Sequence, residues 1–162
     1  MVNYRRNRVP GGTFAFTVAL NDRHSDLLTR HVDALRTAFA QVHVTRPFVI
    51  HAAVILPEHL HTIWQLPNND ADYSIRWQLI KTSFNRQLKL PRSPWQRRFW
   101  EHTIRDDDDF AHHVDYIHYN PVKHGHARHP ADWEFSSIHR WIREGRLPSD
   151  WGNDPGRMDF GE

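Results

Sequence analysis

Cysteine is absent from all 162 residues. That excludes a disulfide framework, a thiolate zinc site and a cysteine nucleophile, and it fits a reducing compartment. Long apolar runs are absent as well. No stretch is long enough to span a membrane, and the N-terminus has no signal-peptide core. These absences predict a soluble, cytoplasmic protein. Apolar residues make up only 39%, and the deficit is filled by arginine, tryptophan and 14 histidines rather than by low-complexity sequence. There is no tandem repeat and no linker-like boundary. The length therefore predicts one domain over 1–162, with a basic segment at 1–12 and a polar, extended tail at 144–162. A chain of this size buries a sizeable core.

Charge is uneven although the net value is only +2. Arg5, Arg6 and Arg8 cluster at the start. From Arg76 to Arg105 the basic residues, among them Lys81, Arg86, Arg97 and Arg98, face a single acid, Glu101. Trp77, Phe84, Trp95, Phe99 and Trp100 are interleaved with them. Cations suit phosphates and rings suit unstacked bases, so this stretch can serve single-stranded nucleic acid. A solvated basic helix with core aromatics has the same composition, and composition leaves both readings open.

Hydrophobic periodicity predicts the elements. Phe14 to Leu20 alternates as a half-buried strand. Leu28, Val32, Leu35, Phe39 and Val42 fall on one face of a helix. Phe48 to Leu56 is apolar throughout, which predicts a central strand, and Pro57-Glu58 turns it into an antiparallel strand over His59 to Leu66. Tyr73 to Leu88 fits a helix with most basic residues outward. Phe99 to Ile104 fits a short strand. Asp106 to Asn120 fits a helix whose aspartates sit where its dipole favours them, and Pro121 is expected to end it. A short helix is expected within Asp132 to Arg143. This order predicts an α+β, ferredoxin-like sandwich, a mainly antiparallel sheet with helices on one face.

Two patterns carry chemistry. In "LPEHLH" the strand period of two places His59 and His61 on the same face, with Cα atoms roughly 6.6 Å apart. Two imidazoles so placed can converge on a divalent ion, and equally can be two half-buried surface histidines. Alternation puts Glu58 on the opposite face, without a catalytic role. In "DYIHYNP" Tyr116 and Asn120 lie four apart on one helix face. A phenol is a nucleophile capable of a covalent intermediate, and an amide oxygen is an acceptable ligand for Mg²⁺ or Mn²⁺. His112 and His113 lie one turn earlier. A lone tyrosine of this kind is also commonly a core residue with a satisfied hydroxyl.

The segments "LPEHLH", "RFWEH", "HHVDYIHYNPVKHG" and "DWEFSSIHR", together with "YRR" and "GGTFAFTV" near the start, resemble the REP-associated tyrosine transposases. These are relatives of insertion-sequence transposases within the HUH (His-hydrophobic-His) nucleases. The resemblance spans nearly the whole chain in order. It implies a small nuclease that cleaves and rejoins single-stranded DNA at hairpins of repetitive extragenic palindromes. It implies that His59 and His61 bind a divalent metal, Mg²⁺ or Mn²⁺, that Asn120 completes that site, and that Tyr116 attacks the scissile phosphate to form a 5′-phosphotyrosine. It further implies that the region of Arg5 and Arg6 helps read a tetranucleotide beside the hairpin. Arg8, Lys81, Arg86, Arg97 and Arg98, from the basic stretches, are expected as further DNA contacts. A C-terminal tail can lie near the active site in this family. A monomer is expected, with a dimer, as in the insertion-sequence relatives that exchange the tyrosine helix between subunits, as the alternative. A non-catalytic hairpin-binding module on the same fold is the alternative reading. A zinc hydrolase built on His59, His61 and His112 or His113 is a third, weakened by the lack of an H-E-x-x-H pattern.

Overall fold

The computed structural model describes residues 7–154. The expectations for Arg5, Arg6 and the last residues of the tail lie outside the described residues.

The chain runs through strand β1 (Thr13–Ala19), a short helix α1 (Leu27–Arg30), helix α2 (Val32–Thr45), strands β2 (Val49–Ile55) and β3 (His59–Gln65), helix α3 (Tyr73–Gln87), strand β4 (Trp100–Thr103), and helices α4 (Asp107–Lys123) and α5 (Ile138–Arg143). The four strands form one antiparallel sheet in the order β2-β3-β1-β4. The α+β class and the ferredoxin-like strand order are as expected. The helix expected from Leu28 to Val42 is broken at His31, whose φ of −118° and ψ of 39° leave the helical region.

Period-two alternation divides the strands between two cores. On one side of the sheet Phe14, Phe16, Val18, Leu60 and Trp64 meet Leu35 and Val42 of α2 and Trp77, Ile80 and Phe84 of α3. Trp64 and Trp77 stack there at 4.3 Å with planes 19° apart. On the other side Ala15, Ala52, Val54 and Ile63 meet Val114 and Ile117 of α4 and Trp141 of α5. Thus α2 and α3 cover the expected face, while the tyrosine helix α4 and α5 cover the opposite one. A bulge in β2 between Ile50 and Ala52 makes this division possible. It turns Ile50 toward the first core and Ala52 toward the second. Helix α5 bonds to the backbone at the bulge: Arg140 donates to the carbonyls of Ile50 and His51, and Trp141 Nε1 donates to that of His51.

The apolar strand β2 is not central, as its composition predicted, but at the edge. Its side chains are apolar because helices cover both faces, which is the same pattern a central strand would show. Its open edge is covered by residues 135–137: Ile55 N–H donates to the Phe135 carbonyl, Ser137 N–H donates to the Ala53 carbonyl, and Ala53 N–H donates to Ser137 Oγ. An edge strand so covered offers no template for pairing with another chain. The described part of the tail turns instead of running extended. Gly145 and Gly152 adopt positive φ, Arg146 lies 3.4 Å over the Trp141 ring, and Trp151 packs near His118.

Arg76 departs from the outward pattern expected of α3. It is 1% exposed. Its guanidinium pairs with both Asp70 carboxylate oxygens at 3.1 and 2.8 Å and donates to the carbonyls of Arg46, Pro47 and Asp72. A planar fork with five donors suits that set of acceptors. Arg76 thus ties the α3 entry to the α2–β2 turn.

Candidate active site

One cavity of about 500 Å³ lies between the sheet and α4, lined among others by Thr17, His59, His61, Tyr116 and His124. Its floor is set by strand register. Thr17 of β1 pairs with His61 of β3 on one side and with Trp100 of β4 on the other. Directly paired residues point the same way, so these three side chains share the α4 face. Leu60, between the two histidines, packs into the opposite core. Alternation therefore turns His59 and His61 together toward α4, with ring centroids 4.9 Å apart.

Both imidazoles are buried, at 3% and 6% exposure, rather than lying on an open surface. His61 Nδ1 is bonded to Thr17 Oγ1 at 2.8 Å, and its Nε2 is buried with no hydrogen-bond partner. Burial, then the charges of His59 and His124, push the His61 pKa well below its ordinary value. His61 is thus a neutral imidazole with one nitrogen unspent, which is the state a metal ligand needs. His59 Nδ1 donates to the Glu58 carboxylate at 2.7 Å, and Arg23 holds the other side of that carboxylate at 3.1 Å. Burial lowers the His59 pKa as well, against the opposing pull of Glu58. Strand alternation gave Glu58 no part here. It sits in the turn ahead of β3, where alternation does not apply, and its carboxylate fixes the His59 ring so that Nε2 is the remaining ligand atom.

Helix α4 forms the wall. Asp106 caps its N-terminus, its side chain accepting from the Asp109 N–H at 2.7 Å, and Asp107, Asp108 and Asp109 occupy the first turn. The helix does not stop before Pro121, as expected, but runs to Lys123. Proline removes a single N–H from the ladder, and the ladder continues beyond it, with His124 N–H donating to the Asn120 carbonyl at 3.0 Å. The helix then closes at Gly125, whose φ of +75° suits glycine. The additional turn matters for the site. Tyr116 packs on His61 with centroids 5.4 Å apart. His124, two turns later, packs on His59 at 5.2 Å, and Lys123 Nζ donates to the Tyr116 hydroxyl at 3.4 Å. Asn120 lies one turn after Tyr116 and one before His124, on the stretch of helix that faces both histidines. It is fully buried, and neither its amide oxygen nor its nitrogen has a partner.

The structure thus brings His59, His61 and Tyr116 into one cleft, while Asn120, buried on α4 between Tyr116 and His124, does not line the cavity. Lys123 and His124 were missed. Lys123 follows Tyr116 by seven residues, one helix face apart by two turns, a signal masked by the expectation that Pro121 ends the helix. Of the basic residues read as DNA contacts, Arg8, Arg86, Arg97 and Arg98 are exposed. Arg86 lies on α3, in the layer across the sheet from the cleft. Lys81 is engaged locally, donating to the Gln96 carbonyl at 3.2 Å and lying over the Trp95 and Phe99 rings.

A second group of metal-ligand type, not foreseen, stands at the cleft edge: His102, Asp109 and His113 have ligand atoms all within 4.8 Å of one another. Its valences are already used. Asp109 Oδ2 accepts from His102 Nε2 at 2.8 Å and from the Arg105 N–H at 2.9 Å, and Oδ1 lies 3.2 Å from His113 Nδ1. Burial opposes ionisation of Asp109, but these hydrogen bonds outweigh it and hold the carboxyl at about 2. His61 Nε2 and the Asn120 amide, by contrast, are unpartnered, and so fit a bound ion better.

No family model matches the chain. It is 49% identical over 162 residues to the REP-associated tyrosine transposase of Escherichia coli K12, covering 100% of this chain and 98% of that protein. It is 46% identical over 168 residues to a putative REP-associated tyrosine transposase of Haemophilus influenzae, covering 96% of each. A solved structure of a REP-associated tyrosine transposase bound to a REP hairpin superposes with a TM-score of 0.92 at 49% identity, over 100% of this chain and 98% of that one.

Proposed function

The chain belongs to the REP-associated tyrosine transposases, and on that premise we propose that it cleaves and rejoins single-stranded DNA beside a palindromic-repeat hairpin through a covalent phosphotyrosine. The observation that carries this reading is the packing of Tyr116 on His61, whose Nε2 is buried and unpartnered in the same cleft.

His59, His61 and Asn120 would hold a divalent ion, Mg²⁺ or Mn²⁺. Such an ion supplies neutralisation of the charge that builds on the non-bridging phosphate oxygens. The residues of the chain do the rest. Tyr116 Oη forms a bond to phosphorus as the P–O3′ bond breaks, and the departing 3′-oxygen takes up a proton while the phenol loses one. Lys123, hydrogen-bonded to the phenol oxygen, favours the negative charge left there as the proton departs ahead of attack. One phosphodiester bond is exchanged for another, so attack by a 3′-hydroxyl on the phosphotyrosine rejoins strands without an external energy source. Tyr116 is on a helix and His61 on a central strand, so their separation is set by packed elements rather than by a loop.

The test is incubation with end-labelled single-stranded DNA containing the repeat hairpin and its flanks, with Mg²⁺ or Mn²⁺. A covalent adduct that survives denaturing electrophoresis is expected from the native chain and not from Tyr116→Phe, while both bind the hairpin. Binding without an adduct by the native chain would instead make it a hairpin-binding module on the same fold. An adduct formed by Tyr116→Phe would remove Tyr116 from the chemistry.

A further inference from the structure

Trp100 is 50% exposed, an unusual state for the largest apolar side chain. The other large hydrophobics exposed among the described residues are Val9, Val44, Val49 and Leu79. The last three belong to α2, β2 and α3, so Trp100 does not form a patch with them. It stands in the active-site cavity, on the same cross-strand row as Thr17 and His61.

Its neighbours explain the half exposure. Its ring lies parallel to that of His102, 6° apart with centroids at 5.9 Å, and nearly parallel to that of His113, 21° apart at 6.3 Å. His102 and His113 stack on each other at 4.5 Å and 16°. Asp109 fastens this pair of imidazoles by accepting from His102 Nε2 at 2.8 Å, and its backbone carbonyl lies 2.8 Å from His113 Nδ1. The indole therefore stands beside this held pair, about equally far from both imidazoles, and half of its surface meets solvent. His113 precedes Tyr116 by three residues on α4, so the backbone of His113 stands about one helical turn from that of the nucleophile, and Trp100 and Tyr116 line the same cavity. Arg97 and Arg98, both exposed, lie immediately before Trp100 in the chain.

From this geometry we propose that Trp100, braced from the side by His102 and His113, is a stacking platform for one unpaired nucleobase next to the phosphate that Tyr116 attacks. A flat ring braced at its edge and half exposed accepts any base by its π-face, at little cost in conformational entropy. The adjacent arginines suit the phosphates of the same strand. The Asp109 cluster then acts as the clamp that keeps the platform flat, which accounts for its fully used valences. A contact with a second protein chain is less suited to a single ring recessed in a cleft than to a contiguous apolar patch. The inference rests on reading the cleft as a single-stranded DNA nuclease site.

The experiment uses the full chain and a repeat-hairpin oligonucleotide carrying 2-aminopurine at each single-stranded position in turn. Tyr116→Phe provides the background, so stacking is read without cleavage. Quenching of 2-aminopurine is expected at one flanking position, lost on adding Trp100→Ala and retained with Trp100→Phe. Trp100→Ala should weaken binding about 5- to 150-fold, the range of one base–aromatic stack. An abasic site at the quenched position should weaken binding to a similar extent, and the two changes together should cost little more than either. Unchanged quenching in Trp100→Ala, additive losses, or a change only in oligomeric mass by sedimentation would overturn the proposal. Far-UV circular dichroism and melting temperature confirm that the variants fold. If the chain with Tyr116 intact forms no adduct while the quenching pattern is as expected, the nuclease reading fails and the platform stands as a binding feature.

Discussion

Glu58 offers the sharpest test of how the histidine pair is prepared for a metal. Its carboxylate is 13% exposed and its partner His59 4% exposed, at 2.7 Å. Glu58→Gln keeps the shape and one acceptor oxygen but removes the charge. The bond then falls from a charge-assisted one, about 1.5–3 kcal/mol, to a neutral one, about 0.5–1.5 kcal/mol. A loss of roughly 1–1.5 kcal/mol corresponds to a weakening of divalent-ion binding by roughly 5- to 15-fold. Glu58→Ala also frees the ring to rotate and should approach about 100-fold. Arg23, 56% exposed at its side chain, shares the carboxylate, and Arg23→Ala should change metal affinity by no more than about twofold. The assay is calorimetric titration of the DNA-free protein with Mn²⁺, followed by cleavage measured against metal concentration. Saturating metal should restore Glu58→Gln to within a few-fold of the native rate, because the defect is in binding. Equal Mn²⁺ affinity in the native chain, Glu58→Gln and Glu58→Ala would refute the idea that Glu58 orients His59 as a ligand.

Lys123→Met should slow single-turnover cleavage roughly 10- to 100-fold with hairpin affinity nearly unchanged, and Lys123→Arg should recover part of the rate; a native rate in Lys123→Met would take the ammonium out of the chemistry. Arg76→Met strands the Asp70 carboxylate and three carbonyls, and should cost about 3–5 kcal/mol in urea unfolding; a loss under about 1 kcal/mol would show that water replaces the guanidinium. Burial, with the charges of Arg140 and Arg146, lowers the His118 pKa to about 3, against about 6.5 in an unfolded chain. Between those values the unfolded state holds one more proton, so stability should fall as pH drops below about 6.5, by up to ~1.4 kcal/mol per pH unit from this group. His118→Gln should flatten that part of the urea-midpoint profile, and an unaltered slope would show that other groups set it.

The strands and the antiparallel pairing of β2 with β3 were legible because alternation over Phe14–Leu20 and His59–Leu66 and the proline-glutamate turn between β2 and β3 are local signals. The position of β2 was not legible. Helices on both faces make an edge strand as apolar as a central one, and only the contact with residues 135–137 shows which it is. The same limit applies to the site. Period two put His59 and His61 together, and period 3.6 put Tyr116 with Asn120, but each rule stops at the end of its element. Glu58 lies in a turn, and Lys123 and His124 lie beyond a proline, so neither rule reached them. Arg76 and Lys81 read as outward cations because their acceptors, the carbonyls of Arg46, Pro47 and Gln96, carry no signature in side-chain composition.

What the residues determined by themselves was chemistry and local direction: no thiol chemistry, two imidazoles on one strand face, and a phenol and an amide on one helix face. Those follow from side-chain type and from backbone periods, which act within a few residues. Which groups meet was decided only by tertiary structure. Packing α4 over β3 buries His61, leaves its Nε2 without a partner, sets Tyr116 against it and brings His124 onto His59. Pairing β4 with β1 carries Trp100 to the same cleft. These are contacts between residues far apart in the chain, fixed by the burial of two cores on one sheet, and no local period encodes them.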